Sequence, residues 1–150
     1  MKLLKPTLNA LLTAALLGAS LGAMAHGDED HTVKVDRTRA GRVLLAALPE
    51  PELSAWLEGR VLARLTPYTV TDPGALRQIL EQIRQQDCCI ASEEHEIGVH
   101  AVAVPLRNLQ GKTVGALNAV LTPARLARGA IQRELLPLLQ DAARELRALL

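Results

Sequence analysis

The densest run of ionisable side chains in the chain is Ser92-Glu93-Glu94-His95-Glu96. Neighbouring acids such as Glu93 and Glu94 point to opposite sides of an extended chain, which opposes a paired-carboxylate acid and base. His95 and His100 could enter a zinc site only if two further ligands completed a tetrahedron. The plainer reading is a solvated loop with a partly buried His100. His26 and His31 flank the acidic run Asp28-Glu29-Asp30. Were His26 the amino terminus, its α-amino group and imidazole could chelate copper or nickel in a square plane. The alternative there is a solvated acidic tail that binds nothing in particular. Cys88 and Cys89, the two cysteines of the chain, are adjacent, so they can neither staple a long loop nor form a C-x-x-C site. They read as small apolar strand residues. There is no G-x-S-x-G, no phosphate loop and no cysteine with a plausible activating base. The expectation is a non-enzyme with no catalytic residue, no cofactor and no assigned metal site.

Asn118 stands apart from these groups. It lies inside an apolar run, where an unpaired amide is costly to bury. Either it bonds nearby backbone, or it faces a cavity that admits a polar ligand. In the second case a carboxylate or carbonyl could accept its amide hydrogens, which makes its strand face the best candidate for a binding pocket.

The elements that would position Asn118 follow from the hydrophobic periods. Val43, Leu44, Ala47 and Leu48 form a helical stripe that starts at Gly41 and stops at Pro49. A second short helix fits residues 52–58 and ends at Gly59. Residues 64–71 read as extended, with a turn-prone Thr66-Pro67. Thr71 or Asp72 can cap the next helix, where Pro73 sits near the first position and Leu76, Ile79, Leu80 and Ile83 form the apolar face. The period then falls to two. Residues 88–91 are a short strand, 99–104 a stronger one that is apolar on both faces, and 113–121 its hairpin partner across Asn108, Gln110 and Gly111. On the last strand Val114, Ala116, Asn118 and Val120 share one face. Thr122-Pro123 opens a helical segment, and a long C-terminal helix follows, with Pro137 marking a kink or a fresh start. The order of helices, antiparallel sheet and covering helix is an α+β arrangement.

Composition narrows the function further. With 150 residues, 49% hydrophobic and 22% charged, the chain fits one folded domain. Only 1% is aromatic and Phe is absent, so the stacking platforms of single-strand nucleic-acid binders are missing. Lys+Arg 17 against Asp+Glu 16 is far from a phosphate-gripping balance.

Residues 1–25 resemble an export signal. Lys2 and Lys5 precede an apolar stretch over 8–21, and Ala23-Met24-Ala25 supplies the small residues that a signal peptidase accepts. The stretch is interrupted by Asn9, Thr13 and Ser20 and is shorter than the roughly 20 apolar residues of a membrane span, so no permanent anchor is expected. A cytosolic amphipathic helix or an unrelated fused start are the alternatives. Residues 26–40 read as a polar linker and 41–150 as the folded domain.

The residues of that domain resemble a known family. Gly-Arg-Val-Leu-Leu-Ala-Ala-Leu-Pro at 41–49, Leu-Thr-Pro-Tyr-Thr-Val-Thr-Asp at 65–72, Glu-Glu-His-Glu-Ile-Gly at 93–98 and Ala-Val-Ala-Val-Pro-Leu-Arg-Asn at 101–108 are similar, in that order, to the effector-binding domain of IclR-type transcriptional regulators. The similarity continues through Gly111 and the Ala-Leu-Asn of 116–118 to the C-terminal Ala-Ala-Arg-Glu-Leu. The 66–72 segment is most similar to the branch that controls aromatic-acid catabolism. The resemblance implies a GAF-like antiparallel sheet with packed helices that cups a small organic acid, here an aromatic one, with pocket positions at Ala91, Ala101, Asn118 and Val120. It also implies a partner copy, since such regulators are dimers or tetramers.

The chain departs from the family pattern at its start. The export-like segment and the linker stand where the DNA-reading helix-turn-helix and the first strands of the sheet would be. The expectation is a sheet short of its opening strands, unless residues 33–36 supply one, and an unpaired edge that favours self-association. No direct DNA binding is expected of this chain. The leading reading is a small-acid sensor derived from a transcription regulator. It would be periplasmic or secreted if the signal is genuine, and cytoplasmic otherwise. The competing reading is an exported solute- or metal-binding protein that uses the His26/His31 terminus.

Overall fold

A computed structural model describes residues 38–121 and 129–150 and the backbone of Leu12–Ala15. The first helix, α1 (Arg39–Ala46), starts two residues ahead of the expected Gly41. Thr38 is its N-cap, with Oγ1 accepting from the Gly41 N–H at 3.0 Å. Its last carbonyls are satisfied from outside, because the Arg84 guanidinium donates to the carbonyls of Ala46 and Leu48 at 2.8 and 3.3 Å. Helix α2 (Glu50–Leu57) follows Pro49 directly. Its end is marked by Gly59 at φ 66°, a left-handed conformation that suits glycine. Helix α3 (Pro73–Gln86) begins as its sequence predicts, with Asp72 Oδ2 accepting from the Ala75 N–H at 2.6 Å and Pro73 in the first turn.

The strands are β1 (Leu12–Ala15), β2 (Cys89–Ser92), β3 (His100–Arg107) and β4 (Thr113–Leu121), all antiparallel, in the order β1-β4-β3-β2. The β3–β4 turn is closed by Asn108, whose Oδ1 accepts from the N–H groups of Gln110 and Lys112, with Gly111 at φ 79°. β3 is the central strand expected from its two apolar faces, and residues 101–104 are buried. A π-helical turn, Ile131–Leu135, precedes α4 (Leu136–Leu146). The backbone stays helical through Leu135 and Leu136, so Pro137 sits inside a continuous helical run, next to the π turn that accommodates its missing N–H.

The outer edge of β4 differs from expectation. Four residues of the export-like segment pair with it, in the register Leu12 to Ala119, Thr13 to Asn118, Ala14 to Leu117 and Ala15 to Ala116. A bare strand edge offers a row of unpaired N–H and C=O groups, and an extended segment within reach satisfies them. The alternative strand at 33–36, the histidines at 26 and 31 and the helical opening at Thr122-Pro123 lie outside the described residues. No helix among the described residues is long and apolar enough to cross a membrane.

The sheet separates two hydrophobic layers. On one face α1, α2 and α3 bring Val43, Leu45, Leu53, Leu76, Leu80 and Ile83 against Cys89, Ala103 and Ala116. On the other, α4 and the π turn bring Leu139 and Ile131 against Cys88, Val102, Val104, Leu106, Leu117 and Leu121. Leu80 is fully buried in the first layer, whereas Val61 is 84% exposed. Leu80→Ala is expected to lower unfolding stability by about 2–5 kcal/mol in a urea titration, while Val61→Ala changes it by less than about 0.5 kcal/mol.

Candidate ligand-binding face

Strand register assembles the four positions singled out from the sequence. Ala91 stands opposite Ala101 across β2 and β3, and Ala101 stands opposite Val120 across β3 and β4, so the three form one row. Asn118 pairs with Ala103 in the adjacent row, and alternation puts its side chain on the same face as the other three. Ala91 and Ala101 are buried, Asn118 is partly buried and Val120 is 41% exposed. Among the described residues Ala91 and Ala101 join neither hydrophobic layer, unlike Ala103 and Ala116 further along the same face. The face is therefore smooth, made by short side chains, and continuous with the floor under α1. Among the described residues no hydrogen bond engages the Asn118 side chain. Of its two sequence readings, the backbone-bonded one finds no support here.

The groups over this face come from α1, where sequence reasoning saw only a linker end and a helix start. Arg39 and Arg42, three residues apart, share one side of the helix and are both buried, at 7% and 3% exposure. Arg42 makes a bidentate pair with Glu94 at 2.8 and 2.6 Å. Arg39 reaches the sheet itself, donating from Nη2 to the Ala91 carbonyl at 3.3 Å. Its Nε is buried with no hydrogen-bond partner. Burial pulls the Arg39 pKa down, and the Glu94 charge opposes that shift.

Glu94 is held in place by the segment that sequence reading took as extended. Residues 65–68 bend and turn there, around the Thr66-Pro67 that the sequence marks as turn-prone. The Thr69 hydroxyl accepts from the N–H groups of Leu65 and Thr66 and donates to the Glu94 carbonyl at 2.6 Å. Thr66 donates to the Glu93 carbonyl at 2.7 Å. Hydroxyls compete with strand ladders for backbone groups, which explains why two threonines in this spacing fold the chain on itself. The 93–98 loop is thus anchored through Glu93 and Glu94 and solvated, as expected, over His95, Glu96 and Ile97. Glu93, at φ 59°, turns away from Glu94 and accepts from the Gly98 N–H at 3.0 Å. The opposed orientation expected of the two acids is present, but Glu94 points inward.

The remaining candidates do not gather. His95 is exposed and His100 partly buried. Among the described residues no group of three or more His, Cys, Asp or Glu side chains could hold a metal ion. Cys89 faces the first layer beside Ala103, where burial pushes its thiol up to about 11. Cys88 sits in the second layer and is also raised by burial. A pair of buried arginines above a small-residue sheet face suits an anion with an apolar body.

The chain is similar to known proteins. The family described as bacterial transcriptional regulator IclR C-terminal matches residues 27–148. The p-hydroxybenzoate hydroxylase transcriptional activator of Acinetobacter baylyi is 43% identical over 112 residues, covering 75% of this chain and 41% of that protein. The Pca operon regulatory protein of the same organism is 44% identical over 113 residues, with the same two coverages. This chain thus spans less than half the length of either relative. Among solved structures, the inducer-binding domain of the PobR transcription factor from Acinetobacter, a double mutant in complex with 3-hydroxybenzoic acid, is 42% identical with a TM-score of 0.73. That match covers 77% of this chain and 66% of the other.

The buried pair gives the prediction for this site. Glu94→Ala would leave Arg42 buried beside Arg39 without its carboxylate and is expected to destabilise the fold by about 3–5 kcal/mol. Chemical denaturation followed by circular dichroism measures it, and a loss under about 1 kcal/mol would contradict the anchoring role.

Proposed function

The chain belongs to the IclR family of bacterial transcriptional regulators, matching its C-terminal effector domain, and on that premise we propose that it binds a small organic acid on the face made by Ala91, Ala101, Asn118 and Val120. The observation that carries this reading is the register itself. It sets the amide of Asn118 beside a row of short side chains, a composition that suits a flat or short ligand with one directional polar contact. The 3-hydroxybenzoic acid bound by the PobR domain, 42% identical, favours an aromatic acid. Ligand occupancy would then govern transcription through DNA-contacting parts of a regulator assembly, and this chain would contribute no catalysis.

Calorimetric titration with 3-hydroxybenzoate, related benzoates and two- to four-carbon acids tests the reading. At least one acid is expected to bind at sub-millimolar concentration. Asn118→Ala should weaken it about tenfold through loss of one or two hydrogen bonds, and Ala101→Leu should block it by volume. A folded wild type that binds no acid of the panel at millimolar concentration would remove the proposal.

Self-association to a dimer or tetramer accompanies this reading. Leu138 and Leu149, on and just beyond α4, are 62% and 81% exposed, apolar surface of the kind that partner contacts cover. Sedimentation at micromolar concentration should show dimers or larger species, and a clean monomer would count against it.

A regulator acts where the chromosome is, so the working compartment under this proposal is the cytoplasm and residues 1–25 are retained. Protein from fractionated cells should carry Met1 in the cytosolic fraction. A chain beginning at His26 in the periplasm would instead favour the exported solute- or metal-binding alternative.

A further inference from the structure

We infer that Arg39 is the group that reads the ligand's carboxylate, and that it holds one end of the ligand while Asn118 holds the other. This rests on the small-acid reading above and adds a residue and an orientation to it. Three observations carry it. Arg39 is 7% exposed and its Nε donor is buried with no partner, although a buried guanidinium donor without an acceptor is disfavoured. The Glu94 carboxylate is taken up by Arg42 in a bidentate pair, so both of its oxygens are already bonded and neither satisfies the Arg39 Nε. The Arg39 Nη2 bond to the Ala91 carbonyl fixes the guanidinium at the β2 end of the Ala91–Ala101–Val120 row.

A carboxylate seated there would accept from Nε and pair with the Arg39 charge in one contact. Bonds of this charge-assisted kind are the strong ones. The placement also sets the ligand's direction. Arg39 anchors at β2 and Asn118 projects from β4, two strand spacings or about 10 Å apart. A benzoate carrying a polar ring substituent spans most of that distance, with its ring over Ala101. Asn118 then meets the substituent and Arg39 the carboxylate, so the two side chains select for different features of one molecule.

The test compares 3-hydroxybenzoate with its uncharged counterpart 3-hydroxybenzamide, titrated calorimetrically into the full chain, its Arg39→Gln variant and its Asn118→Ala variant. The wild type should prefer the acid by about ten- to a hundredfold. Arg39→Gln should lose that preference while keeping its affinity for the amide, and Asn118→Ala should weaken acid and amide alike. Thermal melts accompany each titration. Because Arg39 lacks a carboxylate partner among the described residues, Arg39→Gln is expected to melt no lower than the wild type in the absence of ligand. The acid-against-amide comparison in the wild type stands without any variant, so the assignment remains testable if Arg39→Gln does not fold. A wild type that binds acid and amide equally, or an Arg39→Gln protein that keeps the full preference for the acid, overturns the role of Arg39 and leaves the small-acid reading intact. A wild type that binds neither compound nor any other acid of the panel overturns both.

Discussion

The buried ion pair between Arg42 and Glu94 is the constraint on which the site depends. Each ion gives up most of its hydration, and such a pair holds only with close geometry and further hydrogen bonds to its members. Here the contact is bidentate, and the Glu94 backbone is fixed by the Thr69 hydroxyl. Three segments distant in sequence are thereby locked to one another: the first turns of α1, the threonine turn at 65–69, and the loop from β2 to β3. With α1 held in this way, Arg39 cannot swing to solvent without disturbing its neighbour one turn on. Rigidity at the base of the helix is what allows a guanidinium with an unsatisfied Nε to remain over the sheet.

The sheet complements this arrangement through side-chain size. Its two faces carry different volumes: Val102, Val104, Leu106, Leu117 and Leu121 on the α4 side, and Cys89, Ala91, Ala101, Ala103 and Ala116 on the α1 side. Large aliphatic side chains fill one layer by themselves. The small ones need Leu45, Leu53, Leu76 and Leu80 from the helices to reach them, and those leucines pack over Ala103 and Ala116. Toward Ala91 and Ala101 the hydrophobic covering gives way to Arg39. With only Trp56 and Tyr68 as aromatic residues, the chain brings no ring of its own to lay on that floor. Under the proposal above, an aromatic acid would supply there the flat apolar surface that the sequence omits.

Much of the scaffold was legible in the sequence because it follows local periods. Leu76, Leu80 and Ile83 spaced for a helix, and the alternation through 101–104 and 113–121, correspond to α3, β3 and β4. The shared face of Asn118 and Val120 followed from counting by twos, and Ala91 and Ala101 were added by the family resemblance. The arginines were not legible. A guanidinium in a polar stretch reads as solvated, and its burial depends on a counterion 52 positions away whose approach is set by two threonine hydroxyls. Nothing within a few residues of Arg39 or Glu94 announces that meeting. The turn at Thr66-Pro67 was legible, but its anchoring to Glu93 and Glu94 was not, since hydroxyl-to-backbone bonds leave no hydrophobic pattern. The edge strand Leu12–Ala15 is a third case, because an apolar run that can serve as a leader satisfies a sheet edge equally well.

The adjacent cysteines acquire a meaning from the two-layer architecture that their sequence position hides. Successive residues entering β2 face opposite ways, so Cys88 lies in the layer under α4 and Cys89 in the layer under α1 and α3. Both are free and buried. Neighbours in the chain, they are separated by the thickness of the sheet. Each thiol is therefore a native reporter of one layer. Alkylation of Cys88 records the lifting of the C-terminal helix, and alkylation of Cys89 the loosening of the helices above the ligand face. One peptide read by mass spectrometry would carry both clocks, and with them the order in which the molecule comes apart.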